Sequence, residues 1–307
     1  MLVDNFALTM FQACPIKYKL RIKEHWTSRR KSAALGFGAC LHEGLAVWYK
    51  THDRVSALKA IAETWPANMP TEDWRTKEKC LEVMVQYMRQ YPEESWQPVG
   101  WPERPMIECN FSIDTGLFLP CWDCGEQYHT DVGICPQCGK PLEPIEYGGI
   151  FDGLIEFSQE VVVLEHKTTS QLGKYYFDQF KPNNQVSGYV WAAEKLSGRK
   201  VGGAIINAIG IYKAGTTRFE RQITTRSKAE IAEWMKNVWQ TCVMIQNCER
   251  IGYWPMFTQS CTMYGKCEYH NIHTLGTERE RELYLEQDYQ REQWSHENRD
   301  DSKDETV

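Results

Sequence analysis

The stretch GGIFDGLIEFSQEVVVLEHKTTS, residues 148–170, governs how the rest of the chain is read. Gly149 to Phe157 and Val161 to Thr168 are apolar-rich runs separated by Ser158-Gln159-Glu160, a pattern that predicts a β-hairpin. Side chains alternate along a strand, so Glu165 and Lys167 share a face while His166 points away. The turn can bring Asp152, on the first strand, beside them. Two carboxylates on one face bind Mg²⁺ or Mn²⁺ through oxygen. Such an ion stabilises charge on a scissile phosphate and acidifies a water, and a nearby ammonium can orient that water. An ordinary surface ion pair of Glu165 with Lys167 is the plain alternative. Against it, the pair ends the apolar run VVVLEHKTT, where a solvated face does not usually lie.

Outward from the hairpin, Asn184 to Leu196 reads as a helix ended by Ser197-Gly198. Val201 to Tyr212 and Thr217 to Thr224 read as strands joined through Ala214-Gly215. Ser227 caps a long helix to about Arg250. Upstream, Met106 to Ile113 has the strand pattern. The first hundred residues are helical in pattern: Ser32 to Lys50, Arg54 to Trp65, and a helix capped by Thr71 that runs to Tyr91. The expected fold is α/β, a mixed central sheet flanked by helices, with a helical N-terminal region.

A length of 307 residues fits one large domain or two ordinary ones, and no apolar run is long enough to span a membrane. The N-terminus carries Asp4 and lacks a basic region, so no signal peptide is expected, and a cytoplasmic location follows. The net charge of −6 argues against a nucleic-acid partner until its distribution is read. Residues 278–305 hold eleven acidic and five basic residues, the whole of the excess. Lys17, Lys19, Arg21, Lys23, Arg29, Arg30 and Lys31 stand against the single Glu24, a +6 stretch on a neutral body. Such a stretch is either a phosphate-facing patch or a solvated helix face.

Twelve cysteines raise the question of disulfides, but four stand in two CxxC pairs, Cys121/Cys124 and Cys135/Cys138, ten residues apart. Each pair is followed by a glycine, Gly125 or Gly139, as in a zinc knuckle. Four thiolates close tetrahedrally on Zn²⁺ and leave no open position, so a structural zinc-ribbon insert is expected over 120–144. Cys40, Cys80, Cys109, Cys242 and Cys248 look like packing residues.

The hairpin with Asp152, Glu165 and Lys167 resembles the PD-(D/E)XK nuclease superfamily, and further motifs are similar to its RecB-like branch. Gly36-Phe37-Gly38 followed by Leu41-His42-Glu43 looks like the branch's upstream motif, in which the histidine is a metal ligand. Gln185 and Tyr189 match its Q-x-x-x-Y motif, one helical turn apart and able to touch the lysine or a DNA strand. Glu108 stands where some members add an acidic residue, and is as readily an edge-strand carboxylate. Some relatives hold a [4Fe–4S] cluster with one N-terminal and three C-terminal cysteines. Here Cys14, Cys261 and Cys267 fit, but Thr258 stands where a fourth cysteine would, with His273 as the remaining candidate ligand; a cluster, another metal and free thiols all stay open.

The resemblance implies a restriction-endonuclease-like core in four segments. Residues 1–119 are the helical part with the first core strand, 120–144 the ribbon, 145–274 the nuclease core with the Cys/His segment, and 275–307 an acidic tail fraying at 297–307. It also implies a metal-dependent DNA exonuclease of recombination, repair or phage DNA processing. The partners would be DNA and a recombination or single-strand-annealing protein, and the location the host cytoplasm if phage-encoded. No GxxxxGK[ST] motif occurs, and a compact chain without helicase motifs suggests a phage or mobile-element recombination nuclease. A DNA-trimming nuclease of CRISPR adaptation is the alternative within the class. A non-catalytic DNA-binding module using the ribbon and basic stretch is the alternative outside it, and the intact Asp152, Glu165, Lys167 set speaks against it.

Overall fold

A computed structural model of the chain describes residues 1–30, 32–70, 72–125, 133–263 and 265–295. It begins with β1 (Leu2–Val3), α1 (Asn5–Ala13), α2 (Pro15–Tyr18) and β2 (Trp26–Ser28), then the helices α3 (Ala33–Thr51), α4 (Arg54–Thr64) and α5 (Lys77–Gln90). The strands β3 (Gln97–Pro98), β4 (Ile107–Phe118), β5 (Pro144–Phe157) and β6 (Glu160–Thr169) follow. Next come α6 (Asn184–Ser197), β7 (Val201–Ile211), β8 (Thr217–Thr224) and α7 (Lys228–Ile251). The described chain closes with α8 (His270–Thr274), α9 (Glu278–Asp288) and β9 (Tyr289–Arg291). The architecture is mixed α/β, as the element pattern implied.

Two compact units share the chain. One is built from Lys31–Asn110 and Ile150–Ile231, and its sheet carries the hairpin. β5 and β6 pair antiparallel from Gly153↔Leu164 to Phe157↔Glu160. The loop is therefore two residues, Ser158 and Gln159, and not the three the sequence suggested. Both have positive φ (51° and 67°), the geometry whose twist matches that of the flanking strands. β6 and β7 run parallel, with α6 as the crossover helix, and β7 pairs antiparallel with β8. Apolar side chains of α3, α4 and α5 (Phe37, Leu41, Leu45, Ile61, Met84) pack with Val162 and Leu164 of β6 and Ile205 and Ile209 of β7.

The helix expected to start at Thr71 starts later. Thr76 is its cap, its side chain accepting the Lys79 N–H, and residues 72–76 are not helical. Thr71 itself lies outside the described residues. Both threonines precede acidic residues, so local chemistry favoured neither over the other. Asn183 caps α6 through Val186 N, and Gly198 ends it with φ of 62°.

The other unit takes Met1–Arg30, Phe111–Gly149 and Ala232–Asn298. β1 pairs parallel with the first part of β5 (Leu2↔Glu146), and Ala7, Met10, Phe11 and Tyr18 pack with Ile245 and Cys248 of α7. Ser227 and Glu230 cap α7 reciprocally, as a capping box does. α9 is capped by Thr277 with Glu280, and β9 pairs with β2, so the charged segment beyond Thr274 holds regular structure to Arg291. The segment 297–307 lies outside the described residues. No helix among the described residues is long and apolar enough to cross a membrane.

Candidate active site and metal centres

Asp152, Glu165 and Lys167 are all buried, at 7, 4 and 5% exposure. Lys167 Nζ lies 3.0 Å from Glu165 Oε1 and donates to Gln185 Oε1 at 3.0 Å. Asp152 Oδ2 accepts the backbone N–H of His166 at 2.6 Å, which locks β5 to β6 between the two catalytic candidates. Taking an ion pair out of water is expensive and rarely stabilises a fold, so a buried Glu–Lys pair at this place makes the two residues candidates for a functional site. Tyr189 packs edge-to-face on Phe151, ring centroids 5.3 Å apart, one turn along α6 from Gln185. The α6 face therefore carries both motif residues over the hairpin.

His42, on α3, is 8% exposed, with Nδ1 3.5 Å from Asp152 Oδ1. Its buried Nε2 has no hydrogen-bond partner among the described residues. Donor atoms of His42, Glu108 and Asp152 lie within 4.8 Å of one another. This nitrogen-and-carboxylate set fits a divalent ion such as Mn²⁺ or Mg²⁺. Glu108 reaches it from β4 with φ of 54°, a left-handed conformation that a glutamate adopts only at a cost of about 1 kcal/mol or more. The sequence left Glu108 undecided; its part in the site depends on that kink, which no local signal announces. Burial disfavours the Asp152 carboxylate, yet the His42 imidazole and the His166 ring and N–H hold its pKa below the usual range.

Behind β6 lies a network that the sequence did not reveal. Arg221 clamps Glu94 with two hydrogen bonds of 2.7 Å and donates through Nε to Asn207 Oδ1 at 3.0 Å. That bond orients the Asn207 amide, whose Nδ2 then faces His166 Nδ1 at 2.7 Å. Nδ1 is thus the acceptor and the ring proton sits on Nε2. The partners are separated by 14 to 127 residues in the chain, beyond any motif.

Burial pushes the His166 imidazole down to about 3, against the opposing pull of Asp152. Its ordinary value is 6.5, so on acidification the unfolded chain binds a proton that the folded one refuses. The stability tied to His166 is complete above pH 6.5 and drains as pH falls toward 3. Urea unfolding is expected to lose up to about 1.4 kcal/mol per pH unit from this group across that window. His166→Gln should flatten the slope, and an unchanged slope would mean that the ring is protonated when folded.

The zinc expectation meets a matching geometry. Cys121 and Cys138 Sγ are 3.5 Å apart, as are Cys124 and Cys135, and all four lie within 4.8 Å of one another. A disulfide would need about 2.05 Å. A tetrahedron of 2.3 Å Zn–S bonds has edges of about 3.8 Å. Gly125 and Gly139 take φ of 72° and 71° and donate to Cys121 and Cys135 carbonyls, the turn that aims both thiols inward. Backbone N–H groups of Cys124 and Asp123 pull the Cys121 thiol down to about 7, poised for a thiolate ligand. Trp239 and Gln246 of α7 donate to the Phe118 and Pro120 carbonyls and anchor the ribbon's base.

Cys14 Sγ accepts the Phe257 N–H at 3.4 Å, and Cys267 N donates to Cys261 O at 2.9 Å, so segments far apart in sequence meet. These cysteines and His273 do not converge to single-ion distance.

The basic stretch is not one +6 surface. Arg21 is buried and donates to the Glu292 carbonyl. Lys17 pairs with Glu268, Lys19 with Glu24 and Lys23 with Glu249. Arg29 and Arg30 are exposed, and Lys31 lies outside the described residues. Charge counting along a sequence cannot see carboxylates that folding delivers from elsewhere.

No curated protein matches the sequence. Among solved structures, the chain is similar to a protein from Eubacterium rectale described as "Putative exonuclease", with a TM-score of 0.50 and 11% identity. That match covers 90% of this chain and 88% of that one, and it bears on the fold alone. A second, SSO0001, is 12% identical over 78% of this chain and 85% of that one, with a TM-score of 0.28. The family model described as PD-(D/E)XK nuclease superfamily matches residues 6–272, which take in His42, Glu108, Asp152, Glu165, Lys167 and Gln185. The chain belongs to the PD-(D/E)XK nuclease superfamily.

Proposed function

We propose that the protein is a metal-dependent DNA exonuclease of the RecB-like kind, hydrolysing phosphodiester bonds in DNA recombination, repair or phage DNA processing. The observation that carries this reading is the convergence of His42, Glu108 and Asp152 beside the buried Glu165–Lys167 pair. In it, His42, Asp152 and Glu165 would hold the divalent ion, with Glu108 as a further carboxylate donor beside His42 and Asp152. A divalent ion there supplies charge neutralisation at the scissile phosphate and a more acidic water. Lys167, held by Glu165 and Gln185, orients the attacking water and offsets the charge that develops on the phosphate. Gln185 keeps the ammonium in place, Tyr189 packs on Phe151 one helical turn along, and Asp152 ties the two strands through the His166 N–H. The ribbon, with Arg29 and Arg30, would contact DNA backbone.

The test is cleavage of linear duplex, circular duplex and single-stranded DNA by the full chain with Mn²⁺ or Mg²⁺, and with EDTA. Divalent-dependent loss of linear DNA with circles spared is the expected result. Nicked circles would replace exonuclease with endonuclease, and no cleavage of any substrate would sink the nuclease reading.

A further inference from the structure

A cavity opens in the unit that carries the hairpin, lined by none of the candidate metal ligands. It has a volume of about 350 Å³ and lies between the Tyr176–Phe180 turn and β8. Its lining includes Phe177, Phe180, Lys181, Ile206, Gln222 and Thr224. Ile206 is the register partner of Glu165 on one side and of Gln222 on the other. Directly paired residues project to the same face of a sheet, so the cavity floor continues the row that bears Glu165. Gln222 is two strand spacings from Glu165, about 10 Å. That is the reach of a nucleotide flanking a bond cut at the site.

The walls are held by one side chain. Arg226 donates to the Phe180 carbonyl (2.6 Å), the Ser187 hydroxyl (2.9 Å), the Thr224 hydroxyl (2.9 Å) and the Thr225 carbonyl (2.9 Å). These bonds join the aromatic turn, the end of β8 and α6, the helix whose Gln185 grips Lys167. A cavity pinned this way is formed before any ligand arrives, which lowers the ordering cost of binding.

The chemistry of the lining selects the ligand. Phe177 offers aromatic surface, Phe180 and Ile206 close the bottom at 3 and 1% exposure, and exposed Gln222 offers an amide, while the Thr224 hydroxyl is already engaged by Arg226 and the Phe180 carbonyl. Flat aromatic ligands with hydrogen-bonding edges match that combination. Asp178 also lines the cavity and would repel a phosphate inside it, whereas exposed Lys181 suits a phosphate at the mouth. A base inside a duplex has its faces stacked and its pairing edge occupied, so it cannot enter. We propose that this cavity takes the unpaired base next to the cut bond, making single-stranded DNA, or a frayed end, the productive substrate. The proposal rests on the nuclease reading.

An abasic scan tests it. A single-stranded oligonucleotide is given one abasic nucleotide at each position in turn, and binding is measured to the full chain carrying Asp152→Asn, with and without Phe177→Ala. One position beside the cut should weaken binding by about 5- to 100-fold when its base is removed. Phe177→Ala should lose as much on the intact strand and nothing further on that abasic one. Gln222→Ala, at an exposed edge position, should bind the intact strand but discriminate less among bases there. Losses that multiply, or Phe177→Ala binding the intact strand as tightly as its parent, overturn the pocket. Cleavage by the otherwise unaltered chain is run in parallel. Activity with no position-dependent base requirement overturns the pocket alone, whereas no cleavage with Mn²⁺ overturns the nuclease reading beneath it.

Discussion

Asp152→Asn is expected to lower the cleavage rate by about 10³-fold or more while leaving DNA affinity within a few-fold. The carboxylate lies against His42 and Glu108, where it would hold the ion, and at 7% exposure it offers little surface of its own to DNA. Lys167→Met and Glu165→Gln should be equally damaging to the rate, with a different signature in stability. Each singly leaves the other member of a pair only 5 to 6% exposed without its counter-charge, a loss of about 3–5 kcal/mol. The double replacement removes both charges from a buried place, and its melting temperature should recover to that of the unaltered chain or exceed it. A double variant that is inactive and stable is the expected result from rate and melting measurements together. Near-normal cleavage by Asp152→Asn at matched Mg²⁺ would show that the hairpin is not the active site.

The second large effect concerns zinc. Elemental analysis should find one zinc per chain, and Cys135→Ser should abolish it, because Cys135 is 1% exposed and its thiolate cannot be replaced from solvent. Structural zinc in small ribbons contributes on the order of 10–16 kcal/mol of binding free energy, nearly all of it folding free energy. Removing it should therefore leave the segments that carry the four cysteines open to proteolysis. The hairpin site has its own donors, so cleavage of a short oligonucleotide should fall far less than with Asp152→Asn. Full retention of protease resistance in metal-free protein would mean that the ribbon's fold does not depend on zinc.

Local chemistry makes several parts of the fold legible in the order of residues alone. The hairpin, α6 with its Gly198 end and the Ser227 start of α7 follow from residues a few positions apart, because alternation, caps and turns are short-range. The zinc knuckles are legible for the same reason: a CxxC turn with its glycine is complete within six residues. The start of α5 is not, since Thr71 and Thr76 carry similar cap chemistry and packing chooses between them. The basic stretch misleads for the opposite cause. Glu249, Glu268 and the Glu292 carbonyl reach it from more than two hundred residues away.

The candidate active site divides along the same line. The types and order of Asp152, Glu165, Lys167, Gln185 and Tyr189 are written in the sequence, as is the alternation that sends His166 to the opposite face. Their convergence with His42 and Glu108 is not. α3 must pack on the sheet to set a buried imidazole against Asp152, and β4 must kink at Glu108 to turn its carboxylate inward. The Arg221 network and the cavity pinned by Arg226 belong wholly to the tertiary structure. Both are built from polar side chains that read as ordinary strand and loop residues until folding removes water and leaves each donor only the partners that distant segments supply.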